Sequence, residues 1–215
     1  MRTFNLLVAL FAIVQMLRYA RRAALFVVPS VRVSGEPGAT PRSAARLRVG
    51  AALEELGFAP LGIRRERSPL GAHDVEADAY ADPSRGTYAD VFQARGSEAP
   101  RVVFFTPFRD GAAVLTANFA RPAVTTPLVQ AGGLANARVE AQLAAHEVAV
   151  ERFAAAHGTP AVATTLDARL GAARAWYEAE GRRELRRSSA MAFGLVLFAA
   201  VLLASAVNIL LGGAR

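Results

Sequence analysis

Chemistry in this chain would have to come from two of its three histidines, a run of acids and a small polar group around one turn. His146 and His157 stand eleven residues apart, about 16 Å along a single helix, so one helix cannot bring both to one metal ion. His146-Glu147 is followed by Val148, Ala149 and Val150, so the zinc motif H-E-x-x-H is absent. Asp74, Glu76, Asp78 and Asp82 are spaced somewhat like a calcium loop but lack its central Gly and terminal Glu, which favours a solvated acidic strand or turn. The candidate ligand-binding residues are Thr116, Asn118, Arg109, Asp110 and His146. Arg109 beside Asp110 also reads as an exposed turn pair, and His146 as a packed histidine bonded to backbone. Neither a metal nor a cofactor is expected.

The wider catalytic vocabulary is thin. The chain has no Cys, which removes thiol catalysis, and all 25 basic residues are Arg, which removes Schiff-base and Lys-dependent phosphate chemistry. No G-x-S-x-G, G-x-x-x-x-G-K-[ST] or G-x-G-x-x-G motif is present.

The elements that must position these residues read as a compact α+β domain over residues 40–160. Thr40-Pro41 reads as a helix start, with a helix to Leu56 carrying Ala44, Leu47, Ala51 and either Leu53 or Leu56 on neighbouring faces. Residues 58–65 and 87–95 read as strands, with an exit turn over 96–100. Asp110-Gly111 between apolar runs predicts a two-residue hairpin. In that register Arg109 faces Ala112 and Thr106 faces Leu115; Thr116 and Asn118 share a face, and Thr106 points to the other. Residues 134–157 form a helix with Val139, Leu143, His146, Val150, Phe153 and His157 on one stripe. The fold class expected is α+β, a small antiparallel sheet of three to five strands packed with helices.

Both ends of the chain are apolar. Residues 190–211 are 22 residues without a charge, enough to span a bilayer, which needs about 20. Residues 4–17 are apolar apart from Asn5 and Gln15, about 21 Å of helix, and fit a short span, an interfacial helix or a signal peptide. The domains are then 1–29, a hydrophobic N-terminal membrane segment; 30–39, a linker; 40–160; 161–188, an amphipathic juxtamembrane helix; 189–211, a transmembrane helix; and 212–215, a tail. The juxtamembrane helix carries Leu166, Leu170, Ala173 and Tyr177 on one stripe and is expected to run nearly unbroken into the span, with Gly181 its weak point.

Charge placement assigns the partner. Residues 50–181 hold 12 Arg against 16 Asp or Glu, so the domain is mildly acidic although the whole chain carries +7. The excess sits beside the apolar segments, at Arg18, Arg21 and Arg22 and at Arg182, Arg183, Arg186 and Arg187. These residues, with Trp176, are the expected membrane interface, meeting a bilayer with anionic headgroups rather than nucleic acid. The positive-inside rule places the middle domain in the cytoplasm. Ser205, Asn208 and the alanines 199, 200, 204 and 206 would serve self-association or a membrane protein partner.

The succession LEELGF, TYADVF, FFTPFRDGAAVLTANF and a His-bearing helix, over residues 53–146, resembles uncharacterised bacterial membrane-associated proteins of similar layout. The resemblance implies a compact α+β domain and no activity; the location expected is the bacterial inner membrane. The leading functional expectation is a membrane-tethered noncatalytic interaction or accessory module. The alternatives are a subunit of a transport or envelope assembly and a membrane-anchored enzyme of unknown reaction.

Overall fold

The computed structural model describes residues 2–38, 43–94, 99–161 and 165–212. The expected helix start at Thr40-Pro41 and most of the exit turn over 96–100 lie outside them. In chain order the elements are α1 (Arg2–Val27), β1 (Arg32–Pro37), α2 (Ala44–Glu55), β2 (Ala59–Arg67), a 3₁₀ turn (Pro69–Gly71), β3 (Asp74–Asp82), β4 (Thr87–Phe92), β5 (Arg101–Pro107), β6 (Ala113–Ala117), β7 (Val124–Thr126), β8 (Val129–Gly133), α3 (Val139–His157), α4 (Leu166–Glu178) and α5 (Glu180–Gly212). They divide into a sheet unit, residues 32–66 and 75–176, and a helical unit, residues 1–31, 67–74 and 177–215.

The sheet unit corrects the expected fold class. Its sheet has eight strands, not three to five, in the order β1-β2-β3-β4-β5-β6-β8-β7. It is mixed, because β8 slots in parallel to β6 while β7 pairs with it antiparallel on the edge. The extra strands come from segments with weak signals. β1 occupies what reads as a linker, and β7 and β8 are short and rich in Thr and Gly. β3 was hidden by its acids. Its nine residues alternate Asp, Glu or Tyr with Val or Ala, a strand period, and its last six are buried. Asp74 at the start of the strand is exposed, but Asp78 and Asp82 are buried and Glu76 half-buried, because arginines from neighbouring elements meet them.

Arg46, in the first turn of α2, makes a bidentate contact with Asp78 through Nε (2.7 Å to Oδ2) and Nη2, and lies 3.8 Å from Glu76. Burial pushes the Asp78 carboxyl up while the guanidinium of Arg46 pulls it back, and the net direction is upward. Arg65 on β2 reaches Glu76 at 3.1 Å and Glu36 of β1 at 2.9 Å. This pairing also changes the buried face of α2, which is Arg46, Gly50 and Leu53, whereas Leu47 from the expected stripe is 52% exposed. Ser43 caps the helix by accepting from the Arg46 N–H.

Helices cover both faces of the sheet. On one, Leu53 and Phe58 pack with Tyr80, Ala89, Val91, Val102, Phe104 and Leu143, joining α2 and α3 to the central strands. On the other, Tyr88, Phe105 and Leu115 pack with Ala172 and Trp176 of α4. α3 carries the expected stripe, with Leu143 and His146 buried and Val139, Val150, Phe153 and His157 half-buried.

The hairpin register departs from expectation by one residue. Phe108 N–H donates to Ala112 O (2.8 Å) and Gly111 N–H to Phe108 O (3.2 Å), so the loop is Arg109-Asp110-Gly111 and has three residues. Gly111 sits at φ +87°, the left-handed conformation that closes such a loop with a bulge. Phe105 consequently pairs with Leu115 and Thr106 with Val114. A one-residue slip turns every side chain of a strand to the opposite face. Thr116 therefore faces the same way as Thr106.

Gly50 is a second glycine fixed by its surroundings, for a steric reason. A Cβ there would lie 2.2 Å from the Tyr80 hydroxyl oxygen. Ala is favoured over Gly inside a helix by about 1 kcal/mol, yet overpacking costs about 1–3 kcal/mol. Gly50→Ala is expected to destabilise the full-length protein in denaturant titrations in mild detergent, and to cost less in a Tyr80→Phe background. Equal losses in both backgrounds would show that the hydroxyl is not the obstacle.

Candidate functional site

In the sheet unit the most buried polar groups lie on the two faces of β4, β5 and β6. On the α3 face, His146 is fully buried, with Nδ1 2.9 Å from Thr116 Oγ1 and Nε2 2.9 Å from Thr106 Oγ1. Thr106 Oγ1 is 2.7 Å from Thr87 Oγ1, which is 3.3 Å from the Arg85 carbonyl. One direction of donation gives every hydroxyl proton an acceptor. Thr116 donates to Nδ1, Nε2–H donates to Thr106, Thr106 to Thr87, and Thr87 to the carbonyl. His146 is thus assigned as the neutral Nε2–H tautomer. Burial pushes its pKa down to about 3, in keeping with a neutral ring. Gln142, one turn earlier on α3, donates Nε2–H to Val102 O (3.1 Å) and Thr116 O (2.7 Å).

On the α4 face, Asp90 of β4 accepts from Arg64 of β2 at 3.3 and 3.1 Å and from Arg169 of α4. Arg64 also pairs with Glu66. The Arg169 guanidinium lies over the rings of Phe105 (4.8 Å) and Tyr88 (5.3 Å), and its Nε and Nη1 have no hydrogen-bond partner among the described residues. Two arginines and two carboxylates balance in charge, as burial requires. At the β3–β4 turn, burial pushes Asp82 up, but hydrogen bonds from Ser84 and Arg85 outweigh it and hold the carboxyl below its usual range.

Of the five candidate ligand residues, the fold brings together only Thr116 and His146. Asn118 ties the strand end, accepting from Val102 N–H at 2.8 Å and donating to Pro100 O at 3.4 Å. Asp110 accepts from His157 Nδ1 at 2.7 Å and from Ala112 N–H at 3.1 Å; these bonds hold its carboxyl below the usual range. Arg109 is exposed. The acids of β3 are engaged with arginine, and among the described residues no three His, Asp or Glu side chains are grouped to hold a metal ion. Thr87, Gln142, Asp90, Arg64 and Arg169 escaped the sequence reading. Only Gln142 carried a usable signal, its four-residue spacing from His146.

The helical unit is a hairpin of α1 and α5. Phe26, near the end of α1, stacks on Phe193, in the first half of α5, at 4.5 Å between ring centres. Side chains stay buried along both helices, so the two run antiparallel; a parallel pairing in that register would leave the buried Ala12 without a partner helix. Leu25, near the end of α1, and Leu185, near the start of α5, are buried; the other buried positions are small or polar, including Asn5, Ala12 and Ala23 on α1 and Ser189, Ala192, Ala199 and Ala206 on α5. The last three repeat every seven residues, the period of a closely packed seam. Large apolar side chains face outward instead, with Phe4 69%, Leu17 74%, Met191 78% and Phe198 61% exposed. Both helices are long and apolar enough to cross a membrane.

The arginines expected at an interface, 18, 21, 22, 182, 183, 186 and 187, are all exposed. Glu180 opens α5 and pairs with Arg183 (3.2 Å) and Arg187 (3.4 Å). The expected unbroken helix is interrupted at Ala179, two residues before Gly181. Trp176 belongs to the sheet unit, edge-on to Phe105 with Arg121 above its ring at 5.9 Å. Of the residues expected to serve helix association, Ala199 and Ala206 are consumed in the seam, and Ser205 and Asn208 are exposed.

Comparison of the chain with models of protein families, with curated proteins and with solved structures finds no match.

Two outcomes follow from the His146 layer. Thr116→Val removes the donor to Nδ1 and leaves a buried acceptor unpaired, at a cost of about 1–3 kcal/mol in denaturant titrations. Second, the folded imidazole resists protonation down to about pH 3, whereas the unfolded one protonates near 6.5. The contribution of His146 to stability is therefore complete above pH 6.5 and is lost as pH falls towards 3, at up to about 1.4 kcal/mol per pH unit. A His146→Gln chain with the same acid slope would overturn this.

Proposed function

We propose that the protein is a membrane-tethered accessory module, with the α1–α5 hairpin inserted in a lipid bilayer and the sheet unit displayed as a noncatalytic interaction domain. The observation that carries the reading is the inverted packing of the hairpin. Water drives large apolar side chains inward, whereas lipid gives them no such preference and helices associate there through small residues. Alanines in the seam and Phe, Leu and Met outside fit lipid as solvent.

Orientation follows from the antiparallel hairpin. The C-terminal end of α1 and the N-terminal end of α5 lie at one end, and the chain continues from both into the sheet unit. The exposed arginines cluster towards that end, which favours a cytoplasmic domain by the positive-inside rule. The resemblance in layout supports the bacterial inner membrane as the location. The role as an accessory module is supported by the polar groups beneath the helices, which are engaged mostly with one another and with backbone. A place in a larger membrane assembly is the second reading, favoured by Ser205 and Asn208, which stand exposed one turn apart on α5.

The full-length protein is expected to stay in the membrane fraction after alkaline carbonate washing, and reporters inserted after Pro29 and after Arg187 are both expected to read cytoplasmic. Release by carbonate would overturn insertion, and opposite reporter signals would overturn the hairpin orientation. Membrane crosslinking through a cysteine introduced at Asn208 is expected to trap a partner or a second copy if the assembly reading holds, and monomer alone would exclude it.

A further inference from the structure

The Phe26–Phe193 stack fixes the register of the hairpin, and with it a mismatch between the two arginine groups. In an antiparallel pair each step back along α1 is one step forward along α5. The stack therefore sets Arg22 level with Leu197 and Arg18 level with Val201. The same offset sets Ala12 level with Val207, one residue from Ala206, and Ala12 and Ala206 are both buried. Arg187 precedes Leu197 by ten residues, about 15 Å along the helix. The two groups cannot both lie at one membrane surface. With Arg187 at the headgroups, Arg18, Arg21 and Arg22 would be carried into the hydrocarbon.

Those three arginines occupy positions i, i+3 and i+4, a single face of α1, turned away from α5, and all are exposed. Among the described residues none of them has a carboxylate partner. Residues 2–27 and 185–212 contain no Asp or Glu, so neither this hairpin nor a second copy of it supplies a counter-charge at that depth. Phosphates of lipid headgroups supply one, but only at the bilayer surface. Tyr19, half-buried with the Arg18 guanidinium 5.5 Å from its ring centre, is the kind of side chain that settles at that level. On the N-terminal side the outward face of α1 is apolar from Phe4 to Leu17.

We infer that Arg18, Arg21 and Arg22 bind the phosphates of anionic lipid headgroups and set the depth of the hairpin, seating it about 15 Å shallower than the Arg182–Arg187 cluster alone would. The inference rests on membrane insertion of the hairpin. Residues 4–17 then form the embedded part of α1, about 21 Å long, a short span that a bilayer accommodates by local thinning. The start of the α5 apolar run, including Met191 and Leu197, stands at the headgroups.

The chain has no Cys, so an introduced one is a unique label. Full-length Leu197→Cys and Ile209→Cys proteins are reconstituted into phosphatidylcholine vesicles with and without phosphatidylglycerol, and labelling by a membrane-impermeant maleimide is timed. With phosphatidylglycerol, Leu197→Cys is expected to label at least several-fold faster than Ile209→Cys. Adding Arg18→Gln, Arg21→Gln and Arg22→Gln is expected to bring it down to the Ile209→Cys rate, as is leaving out the anionic lipid, and inorganic phosphate is expected not to restore it. Protection of Leu197→Cys in the otherwise unaltered chain overturns the inference, as does a rate indifferent to the anionic lipid. Should the triple variant lose its fold, the comparison between vesicle types decides. Failure of the protein to float with vesicles would instead overturn membrane insertion itself.

Discussion

The turn at Arg109-Asp110-Gly111 governs the centre of the sheet unit. With Gly111 at φ +87°, the loop closes over three residues, and β5 and β6 meet one residue away from the register of a two-residue turn. Because strand side chains alternate with period two, that residue decides whether Thr106 and Thr116 lie on one face or on opposite faces. They lie on one face, and His146 fits between them with both ring nitrogens bonded. A buried imidazole bonded at only one nitrogen would leave the other as an unpaired polar atom. The position of α3 on the sheet and the register of the hairpin are therefore consistent only with each other.

Arginine and carboxylate do comparable work on the neighbouring strands. Arg46 with Asp78 and Glu76, and Arg64 and Arg169 with Asp90, take charges into the sheet unit that alone would be costly to bury. The planar guanidinium suits this role, because its fork matches a carboxylate and its face rests on aromatic rings, as Arg169 does on Tyr88 and Phe105. Such pairs add little net stability against an apolar replacement, but each partner left alone is strongly unfavourable. They specify which strand lies beside which helix. An acidic strand such as β3 can thus sit inside a sheet.

The hairpin of α1 and α5 is packed differently. Its seam is mostly alanine with Asn5 and Ser189, Leu25 and Leu185 being buried towards one end, and its outer surface carries most of the large apolar side chains. In water the same two helices would gain more by turning those side chains towards each other. The seven-residue repeat of Ala192, Ala199 and Ala206 lets the backbones approach closely, which is where helix pairs in lipid find their attraction.

Much of this was legible along the chain. Periodicity alone located α3 with its stripe, the strands β2, β4, β5 and β6, and the long apolar helix at the C-terminus, because each depends on neighbours a few residues apart. The absence of Cys and Lys and the placement of arginine beside the apolar ends were also matters of sequence alone. What only the tertiary structure decided were relations between distant segments. The eight-stranded mixed sheet drew in β1, β7 and β8, which carry too few apolar residues to announce themselves. The acids of β3 read as solvated until Arg46 was brought to them from 32 residues away. Thr87, Gln142 and Asp90 acquired partners only when strands and helices closed on one another. The seam of the hairpin likewise depended on α1 meeting α5 from the other end of the chain. A sequence displays the periodicity of a surface, but which surface it meets, and in what register, is settled only when both are folded.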